Sequence, residues 1–144
     1  MIVWHEKFAT GSSTLDQQHR MLINNLNHLE WMLADANLNR EECEFLIHLI
    51  NFLESYAEKH FQCEEQCMES HRCPAQGKNK QAHALFLTFF NRFKERCRTE
   101  GFRPDAIRDL HKTLSMWIQE HIVLVDTQLK PCIAATVEPV LTAH

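Results

Sequence analysis

Three glycines and four prolines are all that punctuate these 144 residues. They fall in clusters: Gly11, then Pro74 with Gly77, then Gly101 with Pro104, then Pro131 with Pro139. Glycine and proline are the residues that interrupt regular backbone most reliably, so the long intervals between the clusters read as helices. No strand-period alternation of useful length, internal repeat or low-complexity tract competes with that reading. The first interval is too long for one globular helix. It breaks at Asn37-Leu38-Asn39, where Asn39 and Glu42 form an Asn-x-x-Glu capping signal. Four helices are therefore expected: about Leu15 to the mid-thirties, Arg40 to Glu69, Asn79 to Arg98, and Pro104 to Gln128, with Pro104 suited to a first helical turn.

Each segment carries an apolar stripe at alternating steps of three and four, the seam of helices packed at small angles. The first seam is Leu15, His19, Leu22, Leu26, Leu29, Leu33, and the second is Leu46, Leu49, Leu53, Tyr56, His60, Cys63, Cys67. The third is Asn79, His83, Phe86, Phe90, Phe93, Cys97, and the fourth is Ile107, Leu110, Leu114, Trp117, His121, Val125. The expected fold is all-α, a four-helix bundle, with residues before Thr14 as an arm whose Trp4 and Phe8 cover it. One domain spans 1–130, and 131–144 is a poorly patterned tail that reads either as a short extra helix or as the start of a linker.

Net charge is −4, without a Lys/Arg run that would neutralise a phosphate backbone, so nucleic acid is not an expected partner. No window approaches the roughly 20 apolar residues of a membrane span, and the start Met1-Ile2-Val3-Trp4-His5-Glu6 lacks the pattern of a secretion signal. A cytoplasmic protein is expected. The six cysteines, Cys43, Cys63, Cys67, Cys73, Cys97 and Cys132, are irregularly spaced and contain no Cys-x-x-Cys pair. Reduced thiols are expected rather than a disulfide framework or a structural zinc site.

Polar residues occur in every seam, and they carry the chemistry. A buried imidazole or carboxylate without a partner costs several kcal/mol, so His19, His60, His83 and His121 on four core seams must be compensated. Metal coordination does this directly. His60 and Glu64 are four residues apart, about 40° on the helix wheel, and so present imidazole and carboxylate on one face. Asp126, five residues after His121, is turned off the imidazole direction, as suits a carboxylate reaching sideways to a second ion. Four imidazoles and two carboxylates exceed the needs of one four-coordinate ion. Two ions sharing bridging carboxylates fit better, and the mixed N/O donors suit iron, manganese or zinc.

The motifs, taken in order, resemble the hemerythrin family, bacterial members in particular. They are Trp4, Phe8 and Gly11; Leu15-Asp16-Gln17-Gln18-His19; His60-Phe61-Gln62-Cys63-Glu64-Glu65 with Met68; Pro74; His83-Ala84-Leu85-Phe86-Leu87; and Trp117-Ile118-Gln119-Glu120-His121-Ile122 with Asp126. Together they cover nearly all of residues 1–128. The resemblance implies an up-down-up-down bundle holding two non-haem iron ions joined by an oxo or hydroxo bridge, with dioxygen as ligand. By the same resemblance His19 and His60 ligate the iron that binds dioxygen, Glu64 and Asp126 bridge, and His83 and His121 ligate the other iron. Family members normally supply a further histidine four residues before His83, and this chain has Asn79 there. An amide oxygen is a poorer donor than an imidazole, so Asn79 is a weak or lost ligand position, open to water or a small anion. His71 is a conceivable substitute, but it precedes Pro74 and lies outside the third helix.

His5, His28, His48, His71, His111 and His144 are expected at the surface or at caps. Leu22, Trp117 and Ile118 are candidate walls of an apolar dioxygen pocket, and ordinary core packing accounts for them equally well. Cys63 and Cys67 are expected to behave as small hydrophobes. The resemblance implies a binding domain and not an enzyme. Its expected role is an oxygen or redox sensor acting on an output domain or signalling partner, since bacterial hemerythrin-like domains occur in signalling proteins, some joined to diguanylate cyclase domains. A dioxygen carrier or store is the alternative. A di-iron oxidase or peroxidase ranks third, because no Glu-x-x-His occurs in the chain.

Overall fold

The computed structural model describes residues 1–35 and 37–142, of which 136–142 as backbone. Helices α1 (Ser13–Leu33), α2 (Arg40–Ser70), α3 (Gln76–Glu100) and α4 (Pro104–Leu124) form the bundle, and α5 (Leu129–Thr142) follows. Each bundle helix packs on the next, and α4 closes the ring on α1, the adjacency of an up-down-up-down bundle. No strand occurs among the described residues.

The helix ends have local causes. Ser12 caps α1 by accepting from the Leu15 amide, and Asn39 and Glu42 make the expected reciprocal capping box at α2. Pro104 occupies the first turn of α4, where its missing N–H costs nothing. Gly101, at φ 81°, ends α3 in a left-handed conformation that side chains resist. The third helix starts at Gln76, earlier than Asn79, because Ala75 O receives the Asn79 amide at 2.9 Å and so extends the first turn.

The apolar half of the ring is built on Leu26, Leu29, Leu46, Leu53, Phe90, Ile107 and Leu114, all at most 1% exposed. Each such leucine contributes about 1.5–3 kcal/mol by leaving water. The arm is seated as expected: Phe8 is buried, Trp4 packs on it at 5.6 Å, and Arg20 lies over Trp4 at 4.3 Å. Ile2 is pinned by two 2.8 Å hydrogen bonds to the Asn27 side chain. Among the described residues no helix is long and apolar enough to cross a membrane.

Two expectations are corrected. In the C-terminal half of α2 the buried stripe runs through Ala57, His60, Phe61, Glu64 and Met68, while Tyr56, Cys63 and Cys67 stand at its edge. An α-helix turns every 3.6 residues, so a strict three-four alternation drifts off the true core face over this length. The fourth helix stops at Leu124, not at Gln128. Val125 leaves helical geometry at φ −118°, ψ −56°, and a 3-10 turn, Asp126–Gln128, leads into α5. Within the tail, then, the extra-helix reading describes residues up to Thr142.

Candidate metal centre

One helical turn along α2 carries His60 and Glu64 inward, and both are buried, at 2% and 0% exposure. From α1 comes His19, from α3 His83 and Asn79, from α4 His121, and from the 3-10 turn Asp126, all of them buried. His19, His60, Glu64, His83, His121 and Asp126, with Asn79 beside them, therefore enter one interior cluster. Their donor atoms form two overlapping groups, His19–His60–Glu64 and Glu64–His83–His121–Asp126, within each of which the atoms lie no more than 4.8 Å apart.

Glu64 stands between the groups. Its Oε2 faces His19 Nε2 at 3.0 Å and His60 Nε2 at 3.2 Å, and its Oε1 faces His83 Nε2 at 3.1 Å. Asp126 spans the far side, with Oδ2 at 3.1 Å from His19 Nε2 and Oδ1 at 2.9 Å from His121 Nε2. In an unbroken helix a residue five after His121 would point about 140° away from it. The break at Val125 brings the carboxylate back into the cluster.

The outer nitrogens fix what the inner ones present. His60 Nδ1 lies 2.6 Å from Gln18 Oε1, and His83 Nδ1 lies 3.1 Å from Glu65 Oε2. Both facing oxygens only accept, so both Nδ1 atoms carry a proton, and in the neutral form of either ring the Nε2 lone pair turns inward. Burial pushes the His60 pKa down, against the opposing pull of Glu64, which keeps that ring neutral. A neutral Nε2 lone pair then faces a carboxylate lone pair at 3.2 Å, an arrangement that repels unless a cation sits between them. His19 Nδ1 is also buried without a hydrogen-bond partner, and Asp126 Oδ1 faces His121 Nε2 alone. The donor set thus fits a pair of cations: imidazoles oriented by outer acceptors and carboxylates shared between two positions.

Without cations the charges must balance internally. Burial alone would raise the Glu64 carboxyl, yet His19, His60 and His83 hold it well below its ordinary value. Burial would lower His19, but Asp126 and Glu64 overcome it and push the imidazolium up to about 10. Likewise His83 is raised by Glu64 and Glu65 in spite of its burial.

Asn79 is fully buried and already engaged. Its Nδ2 donates to Glu64 Oε1 at 2.8 Å and to Met68 Sδ at 3.3 Å, which turns Oδ1 toward His121 Nε2, also at 2.8 Å. His71 does not join the cluster. It ends α2, with Nδ1 at 2.8 Å from the Cys67 carbonyl. His5, His28 and His48 are exposed and His111 is half-buried, while His144 lies outside the described residues.

Leu22 and Ile118 are buried in the main core. Trp117 is half-buried and stacks on His121, at 4.3 Å and 12°, so it belongs to the His121 side. Sequence reasoning passed over three residues that matter: Gln18 and Glu65, which orient His60 and His83, and Phe61, which stacks on His83 at 3.8 Å and 11°. Each adjoins a predicted ligand in sequence, and that adjacency was the available signal.

Known proteins place the chain independently. A family model described as the hemerythrin HHE cation binding domain matches residues 10–133. A bacteriohemerythrin of Stenotrophomonas maltophilia is 29% identical over 122 residues, covering 85% of this chain and 74% of that protein. Those of Pseudomonas aeruginosa and Pseudomonas paraeruginosa are 28% and 27% identical over 121 residues, covering 84% of this chain and 74% of each protein. With buried histidines and acids converging from all four bundle helices and the turn after α4, and a family match over most of its length, the chain belongs to the hemerythrin HHE cation-binding family.

Proposed function

We propose that the cluster holds two iron ions joined by an oxo or hydroxo bridge, that it binds dioxygen, and that the domain works as an oxygen or redox sensor for an attached or partner output module. The observation that carries the metal reading is the pairing of proton-bearing Nδ1 atoms on His60 and His83 with outward acceptors, which turns both Nε2 atoms toward Glu64 and, at the neutral His60, opposes a lone pair to the carboxylate. In this assignment His19 and His60 hold the dioxygen-binding iron, His83 and His121 hold its neighbour, and Glu64 and Asp126 bridge. Bound iron would supply the reversible electron donation that dioxygen capture requires. The protein's part is to orient the imidazoles, exclude water from the His19–His60 side and leave the His121 side reachable.

Asn79 supports the sensor over the carrier. Its oxygen is turned toward His121 Nε2 by the Glu64 and Met68 contacts and would be a weak donor to an ion held there, one that an anion displaces more easily than an imidazole. A cavity of about 160 Å³ lined by Lys78, Glu120, Trp117 and His121 lies at the same side. A site that anions reach should oxidise quickly, which suits a switch. The carrier reading draws on the other side, where His19 and His60 are at most 2% exposed. Binding rather than turnover is favoured because the donors include no Glu-x-x-His pair.

Iron analysis and the visible spectrum of the oxidised protein test the centre, since bridged ferric pairs absorb characteristically. Iron well below one ion per chain after anaerobic loading would remove the metal reading. Timing the loss of the oxygenated form tests the role: decay within minutes supports a sensor, and an adduct that persists for hours supports a carrier.

A further inference from the structure

Beside the metal centre, the α2–α3 connection meets the start of α5 in a second small core of Leu15, Met68, Cys73, Ala75 and Leu129. Two thiols far apart in sequence come together there. Cys73 is buried at 4% exposure, and Cys132 is half-buried. Cys73 Sγ donates to the Gln128 carbonyl oxygen at 3.6 Å, and Cys132 Sγ donates to the same oxygen at 3.5 Å. The neighbouring Cys73, together with some burial, pushes the Cys132 thiol up to about 11. Arg72, the residue before Cys73, sits at φ 51°, a left-handed conformation that non-glycine residues rarely adopt, and so turns the connection sharply beneath α5. The Cys73 amide then locks the turn by donating to Met68 O at 2.8 Å.

Both cysteines line a surface cavity of about 520 Å³ shared with His71, Pro74 and Pro131, large enough to admit a small oxidant. Cys67, which also packs on this core, has its Sγ set against His71 Nδ1 at 3.7 Å rather than against Gln128.

We propose that Cys73 and Cys132 are a redox-active thiol pair that closes to an intramolecular disulfide when a hydroperoxide reaches this cavity. The chemistry balances with hydrogen peroxide alone. One thiol attacks the peroxide, its sulfur gains an oxygen to become a sulfenic acid, and water leaves. The second thiol then displaces that oxygen as a second water, forming the S–S bond. The sulfur pair loses two electrons, and the peroxide gains them. The new bond ties the α2–α3 connection to the first turn of α5, so the segment containing Gln128 is held from both sides.

The pair does not depend on metal binding, and its test is independent of the iron reading. The full chain, washed with a chelator, is exposed to hydrogen peroxide, alkylated under denaturing conditions and digested without reduction. The expected result is the loss of two reactive thiols per chain, with a peptide joining Cys73 to Cys132 that disappears on treatment with dithiothreitol. Cys132→Ser, at the half-buried position, should keep the helical circular dichroism, lose the joined peptide and leave Cys73 alkylated. Cys67→Ser should still form it. Joined peptides through Cys63 or Cys67, dimers through Cys132, or full alkylation of both residues after peroxide would each overturn the pair.

Discussion

The two sides of the cluster use the same kinds of atom but are closed differently. On the His19–His60 side both imidazoles are at most 2% exposed, meet edge-on at 4.5 Å and are backed by Gln18, itself half-buried. On the His83–His121 side the rings are covered by single aromatic faces, Phe61 on His83 and Trp117 on His121, and each has a cavity at its margin. One side is sealed by helix packing, whereas the other is roofed by aromatic rings and finished with an amide. A bundle can therefore give the two halves of one cluster different access to solvent while both draw on imidazoles and shared carboxylates.

The comparison breaks most completely if the shared carboxylate is lost. Glu64→Ala should abolish metal uptake on both sides together, read as iron per chain after anaerobic loading; retention of one ion would show that the sides are independent. Next in size is the outer support. Gln18→Leu should weaken metal retention by about 10- to 100-fold, the usual cost of releasing a ligand imidazole. Glu65→Gln should cost less, because the Glu65 side chain is 24% exposed and solvent can replace it. Competition with a chelator measures both, and the reverse order would contradict the sealed-versus-roofed distinction.

Asn79→His should supply the imidazole that the roofed side lacks. Decay of the oxygenated form should slow about tenfold, equivalent to roughly 1.4 kcal/mol in the barrier. Azide affinity, followed in the visible spectrum, should fall with it; equal rates and affinities would show that the amide is a spectator.

Protons report the sealed side. In the metal-free chain His19 is an imidazolium up to about 10, because Asp126 and Glu64 outweigh its burial. An ion needs that nitrogen bare, so loading at pH 8 should release protons into a weakly buffered solution, and affinity should drop as pH falls. Uptake without proton release would mean that His19 is not a ligand. The smallest effect on the site is expected from Leu29→Ala, in the apolar half of the ring. It should cost about 2–5 kcal/mol of stability by thermal or urea unfolding while leaving iron content unchanged.

Much of this was readable in advance, for physical reasons. Where Gly and Pro are so sparse, helix is the remaining way to satisfy the backbone, and Asn39, Glu42 and Pro104 marked two starts correctly. The six candidate ligands stood out because buried imidazoles and acids demand compensation. What sequence spacing did not show was the break at Val125, where neither glycine nor proline warns of it. Nor did it show Gln18 and Glu65, which reach across to a neighbouring helix and read as polar surface when each helix is considered alone. The stripe in α2 was misdrawn through Cys63 and Cys67 because small angular errors accumulate along 31 residues.

The early stop of α4 has a mechanical meaning. His19, His60, His83 and His121 are bolted to helices that brace one another in a closed ring, but Asp126 hangs from a three-residue turn whose other end is α5. Tension or torque on the chain past Leu129 reaches that carboxylate through a handful of rotatable bonds. Displacement of Asp126 would in turn pull on Leu129, whose seat against Leu15 and Met68 makes the first turn of α5 the pivot of that lever.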